Sequence, residues 1–148
     1  LYTSLIEYAN NKTIVEHPGC KYYQDDFLSN ANIKINSIVC HLLEDIPNQY
    51  AGIGCSEAVE LFFKAILHHK FGYEKDTLKK SFGHNLCKLF NKVINLTQDN
   101  QMRSLGYMFD KFPTMNSRYD ATPYTNQELW NLYFVTQMIA TTSLKILS

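Results

Sequence analysis

No stretch of this chain approaches the ~18 consecutive apolar residues of a membrane span, so no transmembrane helix is expected. A basic excess is missing as well: fourteen Lys and Arg face fourteen Asp and Glu, for a formal net charge of zero. Dedicated nucleic-acid binders usually carry such an excess. Strong nonspecific binding of DNA or RNA by the monomer is therefore excluded, although a local basic groove is not. The four cysteines, Cys20, Cys40, Cys55 and Cys87, form no Cys-x-x-Cys pair. A zinc site then has no support, and free, mostly buried thiols in a reducing cytoplasm are expected. Four Pro and six Gly are too few for a turn-rich β-sandwich. Internal repeats, low-complexity tracts and alternating strand patterns are absent from the string. Leu1 to Ser4 have neither the basic region nor the apolar run of a signal peptide. The first residue is Leu rather than Met, which fits a trimmed chain or a domain cut from a longer protein.

What is present is a helical pattern. The 148 residues match the usual size of one domain and suffice for a real core. The ten Tyr and nine Phe suit helix interfaces and ligand pockets alike. A short helix is predicted from Leu1 to about Asn10. From Tyr22 to about Asp45 the apolar residues Phe27, Ala31, Ile35, Ile38 and Leu42 recur at helical spacing. A second long helix is predicted to open at Gly52 and Gly54, with Ser56 as N-cap and Glu57 and Glu60 in its first turn. It should bury Ala58, Leu61, Phe62, Ala65 and Ile66, and end at Phe71-Gly72. After a polar connector from Tyr73 to Phe82, a helix from about His84 presents Leu86, Leu89, Phe90 and Val93. Gln98 to Phe112 reads as a further helical segment stopped by Pro113. A loop from Thr114 to Tyr124 leads to a last helix, Thr125 to Leu147, opened by a Thr125/Glu128 capping box. The fold expected is an all-α, up-and-down bundle of four to five helices.

Several strings also resemble a known family. Glu57-x-x-Glu60-Leu61-x-x-Lys64-Ala65-x-Leu67 resembles the central helix of HEPN (higher eukaryotes and prokaryotes nucleotide-binding) domains. Phe71-Gly72 followed by His84-Asn85-Leu86-x-x-Leu89 resembles the start of that family's next helix. Arg118-Tyr119 before a long last helix resembles its final block, so the likeness spans about residues 27–147. The resemblance implies a helical bundle, often a homodimer, that binds nucleotides or RNA, cleaves RNA, or partners a nucleotidyltransferase in a defence system. Ribonuclease members carry an Arg and, after a short spacer, a His. Here Arg118 matches the Arg, but Tyr124 stands where the His would fall, and no His follows His84.

Among candidate residues, Arg118 offers a permanently charged fork suited to phosphate, or else pairs with Asp120 or Glu128. Tyr119 and Tyr124 either stack on a base or pack between helices. Tyr124 is a poor substitute for a catalytic His, because a free Tyr titrates near ~10 and a free His near ~6.5. His84 either caps a backbone carbonyl or bonds the neighbouring helix, or else meets the Arg118 loop across the bundle as a displaced base. His68 and His69 are adjacent on a helix and diverge, so no metal is expected there. Glu57 and Glu60 are the acids expected in a helix first turn. Lys75, Lys79 and Lys80 form a solvated basic cluster. No Gly-rich phosphate loop or nucleophile elbow occurs, and no cofactor is expected. The favoured function is a non-catalytic nucleotide- or RNA-binding and interaction module, with Arg118, Tyr119, Asp120 and Tyr124 as its ligand-binding residues. The alternatives are a divergent metal-independent ribonuclease using Arg118, with His84 as base, and a structural dimerisation domain.

Overall fold

The structure, a computed structural model, describes residues 25–46, 48–114 and 123–148. Among these residues there are six α-helices, one 3-10 helix and no strand. They are α1 (Asp26–Leu42), α2 (Tyr50–Phe71), α3 (Lys75–Phe82), α4 (Leu86–Thr97), α5 (Asn100–Ser104), the 3-10 helix Gly106–Lys111, and α6 (Asn126–Leu147).

The helices alternate in direction. Asp25, which caps α1, meets His69 near the end of α2 at 2.6 Å, so α1 and α2 are antiparallel. From Phe71 the chain returns along α3 to His84, which lies beside Glu60 in the middle of α2. It climbs again through α4, whose Lys92 reaches the ring of Tyr73. It then descends through α5 and the 3-10 helix to Pro113, which is bonded to Ser56. Finally α6 leaves from Tyr124, beside Gln49, and ends with the Ile146 carbonyl on Lys70. This is the up-and-down bundle expected, with α2 as its central helix.

α2 is buried on nearly all sides, from Ala51 through Leu67. Its Phe63 joins an aromatic stack: Phe90 and Phe109 lie 4.1 Å apart between ring centroids, and Phe112 closes the stack at 5.6 Å from Phe109. Full burial of each such ring stabilises the fold by about 1.5–3 kcal/mol. Gly54 lets α1 approach α2 closely, since a Cβ there would lie 2.8 Å from Ile38 Cγ1.

Several boundaries differ from the sequence reading. α2 begins at Tyr50, so Ser56 is not an N-cap: it sits within the helix and its hydroxyl donates to the Pro113 carbonyl at 3.0 Å. Glu57 and Glu60 are thus mid-helix residues, and Gly52 and Gly54 lie inside the helix they were expected to open. The connector Tyr73–Phe82 contains α3, held by the single fully buried Leu78. α4 starts at Leu86 with Asn85 as its cap. Gln98–Phe112 is not one helix: it breaks at Leu105 into a short α-helix and a 3-10 helix, whose first residue, Gly106, sits where a Cβ would press within 3.1 Å of Phe90. Leu28, not Phe27, fills the first core position of α1. Of the thiols, Cys55 is buried while Cys40 and Cys87 are exposed, contrary to the expectation of mostly buried cysteines. The segment Leu1–Asn10 and Cys20 lie outside the described residues. The capping box of α6 is formed as expected, and no described helix is long and apolar enough to cross a membrane.

Candidate ligand-binding site

Glu60 and Lys64 stand one turn apart on α2, on the side that faces the α3–α4 turn. Lys64 Nζ donates to Glu60 Oε1 at 2.6 Å, and the two residues are only 9 % and 8 % exposed. A buried ion pair is a weak net stabiliser, because desolvation offsets most of its attraction. Its second effect is to fix the direction of the carboxylate. Glu60 Oε2 is turned towards His84, whose Nδ1 lies 2.9 Å away.

His84 gets there through Gly83, which takes φ +54° and ψ −121°, a conformation that favours glycine. Asn85 follows as the cap of α4, its Oδ1 accepting from the Lys88 N–H. Between these two fixed residues the imidazole is aimed at α2. The Nδ1–H donates to the Glu60 carboxylate, which selects one tautomer and directs Nε2 away from it. The side chain of His84 remains 60 % exposed. A half-exposed ring on a buried carboxylate and a buried ammonium is an orientation device of the kind that serves ligand contact or proton transfer.

Two adjoining hollows share this ring. The narrower is lined by Ser56, Glu57 and Glu60 of α2. The wider, about 480 Å³, is bounded by Phe82, Leu86, Cys87, Phe112 and Thr114. Thr114 also borders the narrower hollow, so the chain leads from this cleft into the segment that carries Arg118. Arg118, Tyr119 and Asp120 themselves lie outside the described residues.

Both stems of that segment are fastened to α2. Ser56 holds Pro113. Gln49 pairs with the backbone of Tyr124 in both directions, its Nε2 donating to the Tyr124 carbonyl at 3.0 Å and its Oε1 accepting from the Tyr124 N–H at 2.7 Å. The Tyr124 hydroxyl donates to the Lys111 carbonyl at 2.6 Å. Burial, and then the charge of Glu128, push the Tyr124 phenol above its usual range. Glu128 is held below the usual carboxylate range first by the Thr125 N–H, one of the two capping-box bonds, and then by the Thr125 side chain.

A second groove, about 630 Å³, lies between α1 and α2 and includes His41, Tyr50 and the Lys34–Glu57 ion pair at 2.6 Å. The sequence reading contains no sign of it. His68 and His69 are used structurally: His68 Nδ1 bonds the Tyr73 carbonyl and His69 Nε2 bonds Asp25, each at 2.6 Å. Among the described residues no cluster of three or more His, Cys, Asp or Glu is placed to hold a metal ion. The chain matches no protein-family model, no curated protein and no solved structure.

Proposed function

We propose that this chain is a HEPN-like nucleotide- or RNA-binding and interaction module, acting as a homodimer in a cytoplasmic defence or stress system beside a nucleotidyltransferase partner. The observation that supports this reading is the Lys64–Glu60–His84 chain, which carries order from the core to an imidazole at the mouth of a cleft. The contact surface proposed is this cleft, together with Arg118, Tyr119, Asp120 and Tyr124. Phosphate contact needs only charge and donors, so binding does not require a catalytic base.

One observation favours a second reading, a divergent metal-independent ribonuclease. Thr114, which leads towards Arg118, borders the hollows that His84 lines. In that reading His84 takes the 2′-hydroxyl proton and Arg118 stabilises the phosphate charge. Labelled RNA and nucleotides, mixed with wild type, Arg118→Ala and His84→Ala under EDTA, separate the two. The module predicts binding that weakens in Arg118→Ala, with no cleavage by any variant. Wild-type cleavage lost in both variants overturns it in favour of the enzyme. Neither binding nor cleavage by wild type leaves a structural dimerisation domain.

A further inference from the structure

We infer that the wider cleft at the start of α4 is the seat of a nucleobase ring, whose edge is read by His84 and Asn85. The inference rests on the reading of the chain as a nucleotide- or RNA-binding module and names the part of the ligand that enters. Three features carry it. The lining is largely apolar and aromatic, with Phe82, Leu86, Phe109 and Phe112 among its residues. The volume, about 480 Å³, is that of a small-ligand site, for which roughly 300–1,000 Å³ is usual. The polar groups that structure has already oriented, His84 and Asn85, are consecutive in the chain and both line the cleft.

Their hydrogen-bonding roles are assigned by the contacts they already make. His84 gives Nδ1–H to Glu60, so in its neutral form the imidazole offers Nε2 as an acceptor. Asn85 uses Oδ1 to cap α4, which turns its amide role in the cleft to that of an Nδ2 donor. An acceptor and a donor lining one cleft complement a heterocycle edge on which an amino or N–H group neighbours a ring nitrogen or carbonyl. Nucleobases carry such an edge on a flat ring that packs against Phe and Leu. A phosphate alone uses neither the apolar walls nor the acceptor.

The test compares adenosine with N6,N6-dimethyladenosine, which keeps the ring and loses both amino hydrogens. Nuclear magnetic resonance titration of the wild-type protein should give about tenfold weaker binding for the dimethylated nucleoside. His84→Ala should weaken adenosine by about tenfold and abolish the discrimination. Asn85→Asp keeps the helix cap and exchanges the donor for an acceptor, so adenosine should again weaken by about tenfold. Cys87→Trp, which fills the cleft from an exposed position, should remove binding of both nucleosides, with circular dichroism showing the fold intact. Equal wild-type affinity for the two nucleosides overturns the inference, as does adenosine binding unchanged in Asn85→Asp. If nucleosides fail to bind while labelled RNA still does, the seat is wrong and the module stands. If RNA fails as well, both fall.

Discussion

Cys55 and Cys87 show how differently one residue type behaves in this fold. Cys55 is fully buried on α2, and burial pushes its thiol up to about 12, only partly opposed by the Thr136 hydroxyl. A thiol so raised stays protonated, and so unreactive, at pH 8. Cys40 and Cys87 stand in solvent. A thiol-specific alkylating reagent applied to the native protein, followed by peptide mass mapping, should modify Cys40 and Cys87 and leave Cys55 unmodified until denaturant is added. Native labelling of Cys55 at the rate of Cys87 would show that the α2 core opens in solution. Glu60 is the opposite case, a charged residue that the interior uses. As a sequence symbol it read as an ordinary first-turn acid. Its partner His84 lies 24 positions away, and only the return of the chain along α3 brings them together.

Among the elements, α2 is the most buried, and of its two glycines only Gly54 is fixed by a close contact. A Cβ on Gly54 would meet Ile38 Cγ1 at 2.8 Å, and Ile38 is itself fully buried and unable to give way. A Cβ on Gly52 would meet Leu129 Cδ2 at 3.4 Å, Pro113 Cγ at 3.6 Å and Leu132 Cδ1 at 3.7 Å, all ordinary van der Waals contacts. Gly54→Ala should therefore destabilise by about 1–3 kcal/mol through overpacking. Gly52→Ala should be neutral or should stabilise by up to ~1 kcal/mol, as a helix-interior glycine replaced by a better helix former. Thermal unfolding of the two variants settles it, since shifts of equal size and sign would refute the α1–α2 spacing described here. How legible each element was in the sequence follows from how local its cause is. The α6 cap was readable because Thr125 and Glu128 satisfy each other within three residues. The start of α2 was not, because Gln49 makes no side-chain cap bond there and spends its amide on Tyr124, 75 positions away. α3 escaped notice because one buried leucine, Leu78, anchors an eight-residue helix whose other seven residues are exposed or half-buried. At the site, His84 was readable as a residue bonded to a neighbouring helix, but neither the partner nor the cleft was.

For the molecule as a whole, the proposal of a homodimer carries a direct measurement. The described surface includes the large apolar side chains Leu43, Ile46 and Tyr50, exposed around the α1–α2 turn. Sedimentation velocity at micromolar concentration should show a species of twice the chain mass of 17.2 kDa. A monomer at every concentration would refute the pairing and leave the bundle unchanged. The fastening of Pro113 and Tyr124 to α2 has a consequence for how such a protein diverges. Ser56 and Gln49 fix where the intervening stretch departs and lands, so the registration of α6 on α2 does not depend on its content. A change of sequence between Thr114 and Pro123 therefore leaves the bonds that seat α6 on α2 in place, and the frame and that interval can diverge separately.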